Sequence, residues 1–460
     1  MIFLYGAPAS GKTTLGMRLA AARGVAFVDL DAEIVRAAGC PIPAIFADEG
    51  ETGFRRRESA VLRTLSGRPP AVVALGGGTL LDPDNRAWCE ANGTVLCLET
   101  PDEAELRRRL GTAPGSRPLG DKAKERAAHY ASFPNRVAAS FEAGPSLVVV
   151  GRGLARALTD GVPTVADATV AGLYRDSFAS PLTTIPSGER HKTPETVMAL
   201  WRSFGEAGLG RKDVVAALGG GVTGDLTGFA AATWMRGIDW INVPTTLLAM
   251  VDASTGGKTG CDLPEGKNLA GAFHPPRLVV IDVDFLKTLP AETLAEGRAE
   301  MIKHEVIGGL AHEGPVAGLP TAREIADNLL VKVGIVREDP YERLGRRLLL
   351  NCGHTVAHAV EKLSDYRLSH GAAVAIGCVE EARLAVRRGL SPQDWPDELA
   401  ARFAAAGLPV DLPDGLTFAA MRETMKGDKK RAGDVVTFAL PCGWGDVRAV
   451  PVDLSEGGEA

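Results

Sequence analysis

The chain has 460 residues, a formal net charge of −6, 45% hydrophobic and 23% charged side chains. Such a length exceeds one hydrophobic core and implies two to four domains, while the acidic balance argues against a nucleic-acid partner, which needs a basic face. No apolar run reaches the ~18 residues of a membrane span, the first residues enter a strand without a basic leader, and seven cysteines form no C-x-x-C pair, so buried thiols in a cytoplasmic setting are expected.

Met1 to Tyr5 predicts a buried strand, followed by Gly6 to Thr13, GAPASGKT, and a helix from Thr14 to Arg23. This is G-x-x-x-x-G-K-[ST] in the strand–loop–helix order in which the pattern binds ATP. Amides between Gly6 and Gly11 would cradle the phosphates, Lys12 would reach the β and γ oxygens, and Thr13 would place its hydroxyl on Mg²⁺. A second strand, Val25 to Val28, delivers Asp29 and Asp31 to the carboxyl edge of a parallel sheet, where ligands of α/β folds sit. The plainer reading of Asp31 is a helix N-cap. FRRRE, Phe54 to Glu58, is either a solvated face or a set of fixed cations for an acidic substrate. The strand Ala71 to Leu75 runs into Gly76-Gly77-Gly78-Thr79, a turn that admits a ligand close to the backbone. After Arg107 to Arg109, the Gly/Pro-rich segment from Gly111 to Pro118 carries Arg117 and reads as a mobile lid.

On these residues positions 1–145 resemble shikimate kinase. The resemblance implies an α/β P-loop kinase domain that phosphorylates shikimate from Mg-ATP. It assigns Asp31 to the reacting hydroxyl, Asp29 to the vicinity of Mg²⁺, and Gly6, Gly11, Lys12, Thr13 and Thr14 to ATP. Arg55, Gly76, Gly77, Gly78 and Arg126, the last in R-x-x-x-Y with Tyr130, match the shikimate cradle, the two arginines clamping its carboxylate. Arg117 matches the lid arginine. Pro8-Ala9 stands where the family usually has Met-Gly.

The pattern resets at Gly144-Pro145, ahead of a strand from Leu147 to Val150, and a boundary is expected after residue 145. Ser187 to Thr193 then opens a helix from Pro194 to Ala207. Val214 to Leu218 meets Gly219, Gly221 and Gly224, a G-x-G-x-x-G leading into a helix from Asp225 to Met235. On the generic spacing Asp239 would hold a ribose. Asp252, Lys258, Lys267 and Asn268 crowd a second glycine-rich loop. Past Leu289-Pro290 long helices take over, giving a second boundary after residue 288. There Glu300 and Lys303 share a helical face, and His354 and His358, at i and i+4, would be a metal pair on spacing alone. His370 follows in Ser369-His370-Gly371.

With the glycine turn and its charges in place, the chain from 146 onward resembles 3-dehydroquinate synthase. That implies a Rossmann-like α/β domain over 146–288 and an all-α metal- and substrate-binding domain over 289–460. Asp239 becomes a solvated loop acid, and NAD falls to Asp167, Glu189, Lys192, Gly220, Gly221, Asp225, Thr245 and Thr246, with Lys258 and Lys267 close by. Arg236, Asp252, Lys258, Lys267, Asn268, Lys303, Lys332, Arg347, Asn351 and His358 match substrate contacts, and one of Lys429 and Lys430 would bind the substrate's phosphate. The metal, Zn²⁺ or Co²⁺, goes to Glu300, His354 and His370. Those three with Lys258, and Lys12, Asp31 and Arg117 in the kinase part, form the implied catalytic set. Thr169 and Asp262 stand where the family usually has Asn, and the segment between Glu300 and Lys332 is shorter than usual.

The two resemblances together imply a bifunctional enzyme with small-molecule substrates, no nucleic-acid or membrane partner, and a possible homodimer through the synthase part. One site would make shikimate 3-phosphate. The other would turn 3-deoxy-D-arabino-heptulosonate 7-phosphate into 3-dehydroquinate and phosphate. The alternative is another small-metabolite P-loop kinase, or an ATP-binding regulatory module, fused to a metal-dependent polyol or glycerol phosphate dehydrogenase-like enzyme.

Overall fold

The computed structural model describes residues 1–100, 126–175, 178, 182–310, 318–365, 367–426, 431–432 and 435–454. The chain divides into two compact units, one of 1–142, 147–161 and 280–283, the other of 143–146, 162–279 and 284–460.

In the first unit, β1 (Ile2–Tyr5), β2 (Ala26–Asp29), β3 (Ala71–Ala74), β4 (Thr94–Leu98) and β5 (Arg136–Ala143) lie in the order β2-β3-β1-β4-β5, paired in parallel. Every residue of β1 and β3 is buried, as a parallel sheet covered on both faces requires. Helix α1 (Lys12–Arg23) starts two residues before the predicted Thr14, because Gly11 adopts φ 98° and lets the loop turn directly into the helix. It stops at Gly24, also left-handed, whose amide returns to the Ala20 and Ala21 carbonyls. The cap of α2 (Leu30–Ala38) is Asp29, which accepts the amides of Asp31 and Ala32. The capping role considered for Asp31 therefore belongs to Asp29, and the Asp31 side chain is left over for other work. α3 (Ile42–Arg63), α4 (Pro83–Asn92) and α5 (Ala127–Ala131) complete the core around Tyr5, Ile34, Phe54, Val73 and Tyr130. β6 (Ser146–Arg152) and α6 (Ala155–Thr159) follow.

In the second unit β7 (Thr164–Asp167), β8 (Thr183–Ile185), β9 (Val214–Gly219), β10 (Asp239–Pro244) and the first two residues of β13 (Leu278–Asp282) run in the order β13-β10-β9-β7-β8, again parallel. With α7 (Ala168–Leu173), α8 (Pro194–Glu206) and α9 (Gly221–Thr233) this is the Rossmann-like part. α9 is displaced from the predicted span. It begins at Gly221 because the glycine turn itself supplies its first turn, and it ends before Met235 because Met235 and Arg236 are left-handed, φ 49° and 69°. An antiparallel hairpin, β11 (Lys258–Leu263) and β12 (Gly266–Phe273), carries the second glycine-rich loop.

Then come α10 (Ala291–Gly308), α11 (Ala322–Glu338, opened by a Thr321–Glu324 capping box), α12 (His354–Leu363), α13 (His370–Arg387), α14 (Trp395–Ala405) and α15 (Phe418–Lys426). The region is helical, but an all-α reading omits a small antiparallel sheet, β14 (Arg431–Ala432), β15 (Val435–Gly443) and β16 (Asp446–Asp453). β15 belongs to the bundle because Val436, Phe438, Leu440 and Cys442 enter the same core as α13. All seven cysteines are free and six are buried. Among the described residues no helix is long and apolar enough to cross a membrane.

α12 and α13 approach so closely that a Cβ on Gly377 would sit 2.0 Å from the Gly353 carbonyl oxygen. On α11, by contrast, Gly334 is exposed and a Cβ there would meet nothing within 4 Å. Gly377→Ala should therefore lose about 1–3 kcal/mol to overpacking, more than the ~1 kcal/mol a helical alanine returns. Gly334→Ala should gain about 0.5–1 kcal/mol. Thermal or urea unfolding of the two variants should shift in opposite directions.

Candidate active sites

Beyond β1 the chain turns through Gly6, φ 136°, and Gly11, φ 98°, backbone that glycine alone adopts without strain. α1 has no side-chain cap, so its first amides remain open to an anion. Lys12 folds back on the loop, its Nζ donating to the Gly6 and Ala7 carbonyls at 2.8 Å each. Burial pulls its pKa down to about 8, against Asp31 and Asp29. Thr13 Oγ1 donates to Asp29 Oδ2 at 3.1 Å, joining the two groups expected near Mg²⁺, and Thr14 is exposed.

The cleft walls strip water from Asp31, and that desolvation, with Asp29 and Glu58 nearby, raises its pKa. Asp31, the glycine turn and Arg55 share one face. A Cβ on Gly76 would lie 3.5 Å from Asp31 Oδ1, and one on Gly78 would lie 2.6 Å from Arg55 Nη2. Glu58 holds this face together. It is wholly buried and accepts from Arg55 Nη1 and Thr79 Oγ1, each at 2.6 Å. Arg126 and Tyr130 donate to the Gly77 carbonyl at 3.4 and 2.7 Å. Glu58 was visible in the sequence only as the end of FRRRE, since an acid three residues after an arginine usually marks a surface pair. Arg117 lies outside the described residues.

In the second unit Asp167, Gly219, Gly220, Gly221, Thr245 and Thr246 meet at the carboxyl ends of β7, β9 and β10. α9, like α1, opens without a side-chain cap. A Cβ on Gly219 would meet the Asp167 Cβ at 3.0 Å, and one on Gly220 would meet Thr246 Cγ2 at 3.3 Å. Asp167 caps α7 and accepts from Ser187 Oγ at 2.7 Å, and Ser187 bonds Thr169 Oγ1 at 2.8 Å. Thr169 is thus part of a closed hydroxyl chain. Lys192 is buried and reaches Asp225 Oδ2 at 2.7 Å and Asn268 Oδ1 at 2.6 Å. Burial opposes its charge, but Asp225 and Glu189 outweigh that and hold its pKa up, while burial raises that of Asp225. Asp262 accepts the amide of left-handed Asn268, φ 55°, at 2.8 Å.

Two residues lie away from the glycine turn, Asp239 as the solvated acid that the resemblance implies. Asp239 is the first residue of β10, in register with Val214, so it lies at the opposite end of the sheet from Gly219. It is exposed and paired with Arg277 at 2.8 Å, and does not reach the turn. Arg236 is exposed beyond the far end of α9, on the order of 20 Å from the glycine turn at 1.5 Å per residue.

The densest chemistry lies where α10, α11, α12 and α13 converge. The Glu300 carboxylate and one donor each of His354 and His370 fall within 4.8 Å of one another. Glu300 Oε1 is 3.5 Å from His354 Nε2 and 3.4 Å from His370 Nε2. Lys303 forms an ion pair with Glu300, yet among the described residues neither carboxylate oxygen has a partner in hydrogen-bonding geometry. The other ring nitrogens are engaged, His354 Nδ1 by the Cys352 carbonyl at 3.1 Å and His370 Nδ1 by Glu361 Oε1 at 3.3 Å. Three convergent donors, oriented from behind, fit a divalent metal with positions left for a ligand. Burial and Lys303 pull His354 down to about 3, its neutral, ligating form. Burial works the same way on His370, but Glu300 and Glu361 prevail and push it up to about 10, a proton that a metal would displace. His358, the partner chosen by i, i+4 spacing, is exposed with its ring edge-on to His354 at 5.6 Å, outside the cluster.

Around it, Asp252 accepts from Lys332 Nζ at 2.9 Å. Burial favours its neutral form, but Lys332 and Lys303 hold the carboxyl well below the ordinary range. Arg347 is buried against Gly256 and donates to the Pro340 carbonyl at 3.0 Å. Asn351 Nδ2 is buried without a partner among the described residues, a donor left for a ligand. Lys258 is exposed and pairs with Glu342 at 2.6 Å, and exposed Lys267 faces Glu361. Lys429 and Lys430 lie outside the described residues. Sequence reasoning missed His304, which bonds Asn328 at 2.9 Å, and the buried acids Glu361 and Glu381. Glu381 accepts the amides of Gly353, Thr355 and Val356 at 2.8 to 3.2 Å and so caps the helix that presents His354.

The folds and sites define a P-loop kinase joined to a separate enzyme built from a glycine-turn α/β domain and a helical domain with a two-histidine, one-carboxylate cluster. The shikimate kinase family model matches residues 8–142, and those for the N-terminal and C-terminal parts of 3-dehydroquinate synthase match 182–296 and 297–431. The 3-dehydroquinate synthase of a Synechococcus species is 47% identical over 296 residues, 61% of this chain and 80% of that protein. A solved 2-epi-5-epi-valiolone synthase from Streptomyces hygroscopicus, with NAD⁺ and Zn²⁺ bound, is 29% identical over 69% of this chain and 95% of its own, TM-score 0.58. A 2-deoxy-scyllo-inosose synthase solved with carbaglucose-6-phosphate, NAD⁺ and Co²⁺ is 25% identical over 67% and 94%, TM-score 0.58. The chain belongs to the 3-dehydroquinate synthase family and carries a shikimate kinase domain ahead of it. It is an enzyme of aromatic biosynthesis with a kinase half and a lyase half.

Because the pKa of Lys12 is lowered to about 8, the loop loses its cation as pH rises through that value. Affinity for a fluorescent ATP analogue should hold below pH 8 and fall above it, approaching tenfold per pH unit. Lys12→Met should bind more weakly at every pH and show no such break.

Proposed function

We propose that residues 1–145 transfer the γ-phosphoryl group of ATP to the 3-hydroxyl of shikimate. Residues 146–288 and 289–460 together convert 3-deoxy-D-arabino-heptulosonate 7-phosphate to 3-dehydroquinate and phosphate. The observation that carries the reading is the convergence of Glu300, His354 and His370 beside Lys303, Lys332 and Asp252. On the kinase side its counterpart is Arg55, held by Glu58 over the glycine turn beside Asp31.

In the kinase half Asp31, its pKa raised, accepts the proton of the attacking hydroxyl. Arg55 and Arg126 clamp the substrate carboxylate over Gly76, Gly77 and Gly78. Thr13 and Asp29 would hold the Mg²⁺ that accompanies ATP, and Lys12 exchanges the Gly6 and Ala7 carbonyls for phosphate oxygens. Arg117 is the residue assigned to the transferring group by the resemblance.

In the synthase half Zn²⁺ or Co²⁺, held by Glu300, His354 and His370, would act as a Lewis acid on substrate hydroxyls. NAD, seated on Gly220, Gly221, Asp167, Glu189, Lys192, Asp225, Thr245 and Thr246, would supply a transient oxidation that is reversed before product leaves. Lys258, Lys267, Lys303, Lys332, Arg347 and one of Lys429 and Lys430 neutralise a carboxylate and a phosphate. Asp252 stays ionised and fixes the ammonium of Lys332. Asn351 donates its buried Nδ2–H, without a partner among the described residues, to the substrate. A homodimer through the synthase half is part of the same proposal.

Shikimate-dependent ADP release and phosphate release from the heptulosonate phosphate test the two halves separately. Asp31→Asn should lower the first by about 10²–10⁴-fold and leave the second intact. His354→Ala should do the reverse. Net accumulation of NADH would instead mark a polyol phosphate dehydrogenase, and ATP binding without shikimate-dependent turnover a regulatory module.

A further inference from the structure

Glu361 sits on α12, seven residues after His354, and is 8% exposed. Its Oε1 lies 3.3 Å from His370 Nδ1, the nitrogen opposite the one that faces Glu300. A neutral imidazole carries a single N–H, so if Nε2 is to offer a lone pair to a metal, Nδ1 must keep the proton and needs an acceptor. His354 meets that need with the Cys352 carbonyl. His370 meets it with a charged group from a different helix.

We propose that Glu361 is the positioning carboxylate of His370, holding the ring in its Nδ1–H form and aiming Nε2 at the point shared with Glu300 and His354. The inference rests on the reading of those three residues as a metal centre. One face of α12 then supplies a ligand, His354, and the brace for the next, while Glu381 on α13 caps the start of α12 in return. Each of the two helices bearing a ligand histidine holds the other's in place.

Two rival uses of buried charge carry less. Lys267 and His358 also face Glu361, so it could serve only as counter-charge to groups on the substrate side. Asp252, Glu300 and His304 form a second set of donors at metal-binding distance. The ammonium groups of Lys332 and Lys303 already pair with its two carboxylates and leave little charge for a cation there.

The test is calorimetric titration of Zn²⁺ into the metal-stripped full-length protein, beside thermal melts with and without Zn²⁺. Glu361→Gln should bind Zn²⁺ about 10–100-fold more weakly than the parent, and the rise in melting temperature on adding Zn²⁺ should shrink. Glu361→Asp, which keeps the charge on a shorter arm, should recover part of both. Because the melt comparison is between metal-free and metal-loaded forms of one variant, it holds even if the substitution lowers the metal-free melting temperature. Unchanged Zn²⁺ affinity in Glu361→Gln overturns the proposal, and a raised KM for the heptulosonate phosphate alongside it would assign Glu361 to Lys267 and His358. His354→Ala is the control. If it binds Zn²⁺ as the parent does, the metal centre itself is misassigned, a failure distinct from that of Glu361.

Discussion

Two ion pairs, Glu300 with Lys303 and Asp252 with Lys332, set the terms for the helical region. Removing a charge from water costs several kcal/mol unless a partner stands ready in the folded state. The helices are therefore placed to bring these partners together. Glu300 and Lys303 are one turn apart on α10. Asp252 comes from a single widened helical turn, Ala249–Ala253, of the kind that recurs at functional sites. The two segments can meet because Gly297 has no side chain: a Cβ there would lie 2.5 Å from that of Leu247 and 2.6 Å from the Leu248 amide nitrogen. One small residue thus lets α10 press against the loop that carries Asp252. Both carboxylates stay ionised at the bottom of the cluster, which for Glu300 is the form a metal ligand requires.

What could be read from the sequence follows from how local the chemistry is. The P-loop binds phosphate with consecutive amides and one lysine, so its eight residues carry nearly the whole signal. The glycine turn at Gly219 to Gly221 was legible for the same reason. Spacing alone, which the family pattern overrode, points to the wrong residues where it has to stand in for geometry. Asp239 has the generic distance from the first glycine but returns to the far end of the sheet, and His358 has the right helical period but an exposed ring. Glu361 and Glu381 could not be read at all, and Glu58 only as an acid three residues after an arginine. Each is a buried acid that takes a bond from another element or from backbone amides, and nothing in the neighbouring residues distinguishes it from a solvated glutamate. β15 escaped notice because its alternation is broken by Pro441 and Gly443, where the register shifts.

Both halves offer phosphate the same device, an uncapped helix start after a glycine turn, at Gly11 and at Gly220. They differ in how their lysines are tethered. Lys12 is held by two neutral carbonyl oxygens, and exchanging such hydrogen bonds for phosphate oxygens costs only about 0.5–1.5 kcal/mol each. Lys303 and Lys332 are held by carboxylates in a poorly solvated cluster, where breaking a buried pair costs about 3–5 kcal/mol. A cation that must follow a phosphoryl group from donor to acceptor has to be loosely held. Cations that keep one anionic substrate in register while bonds rearrange around it have to be rigid. On that ground the tethering of the lysines, more than their number, separates the half proposed to transfer phosphate from the half proposed to expel it.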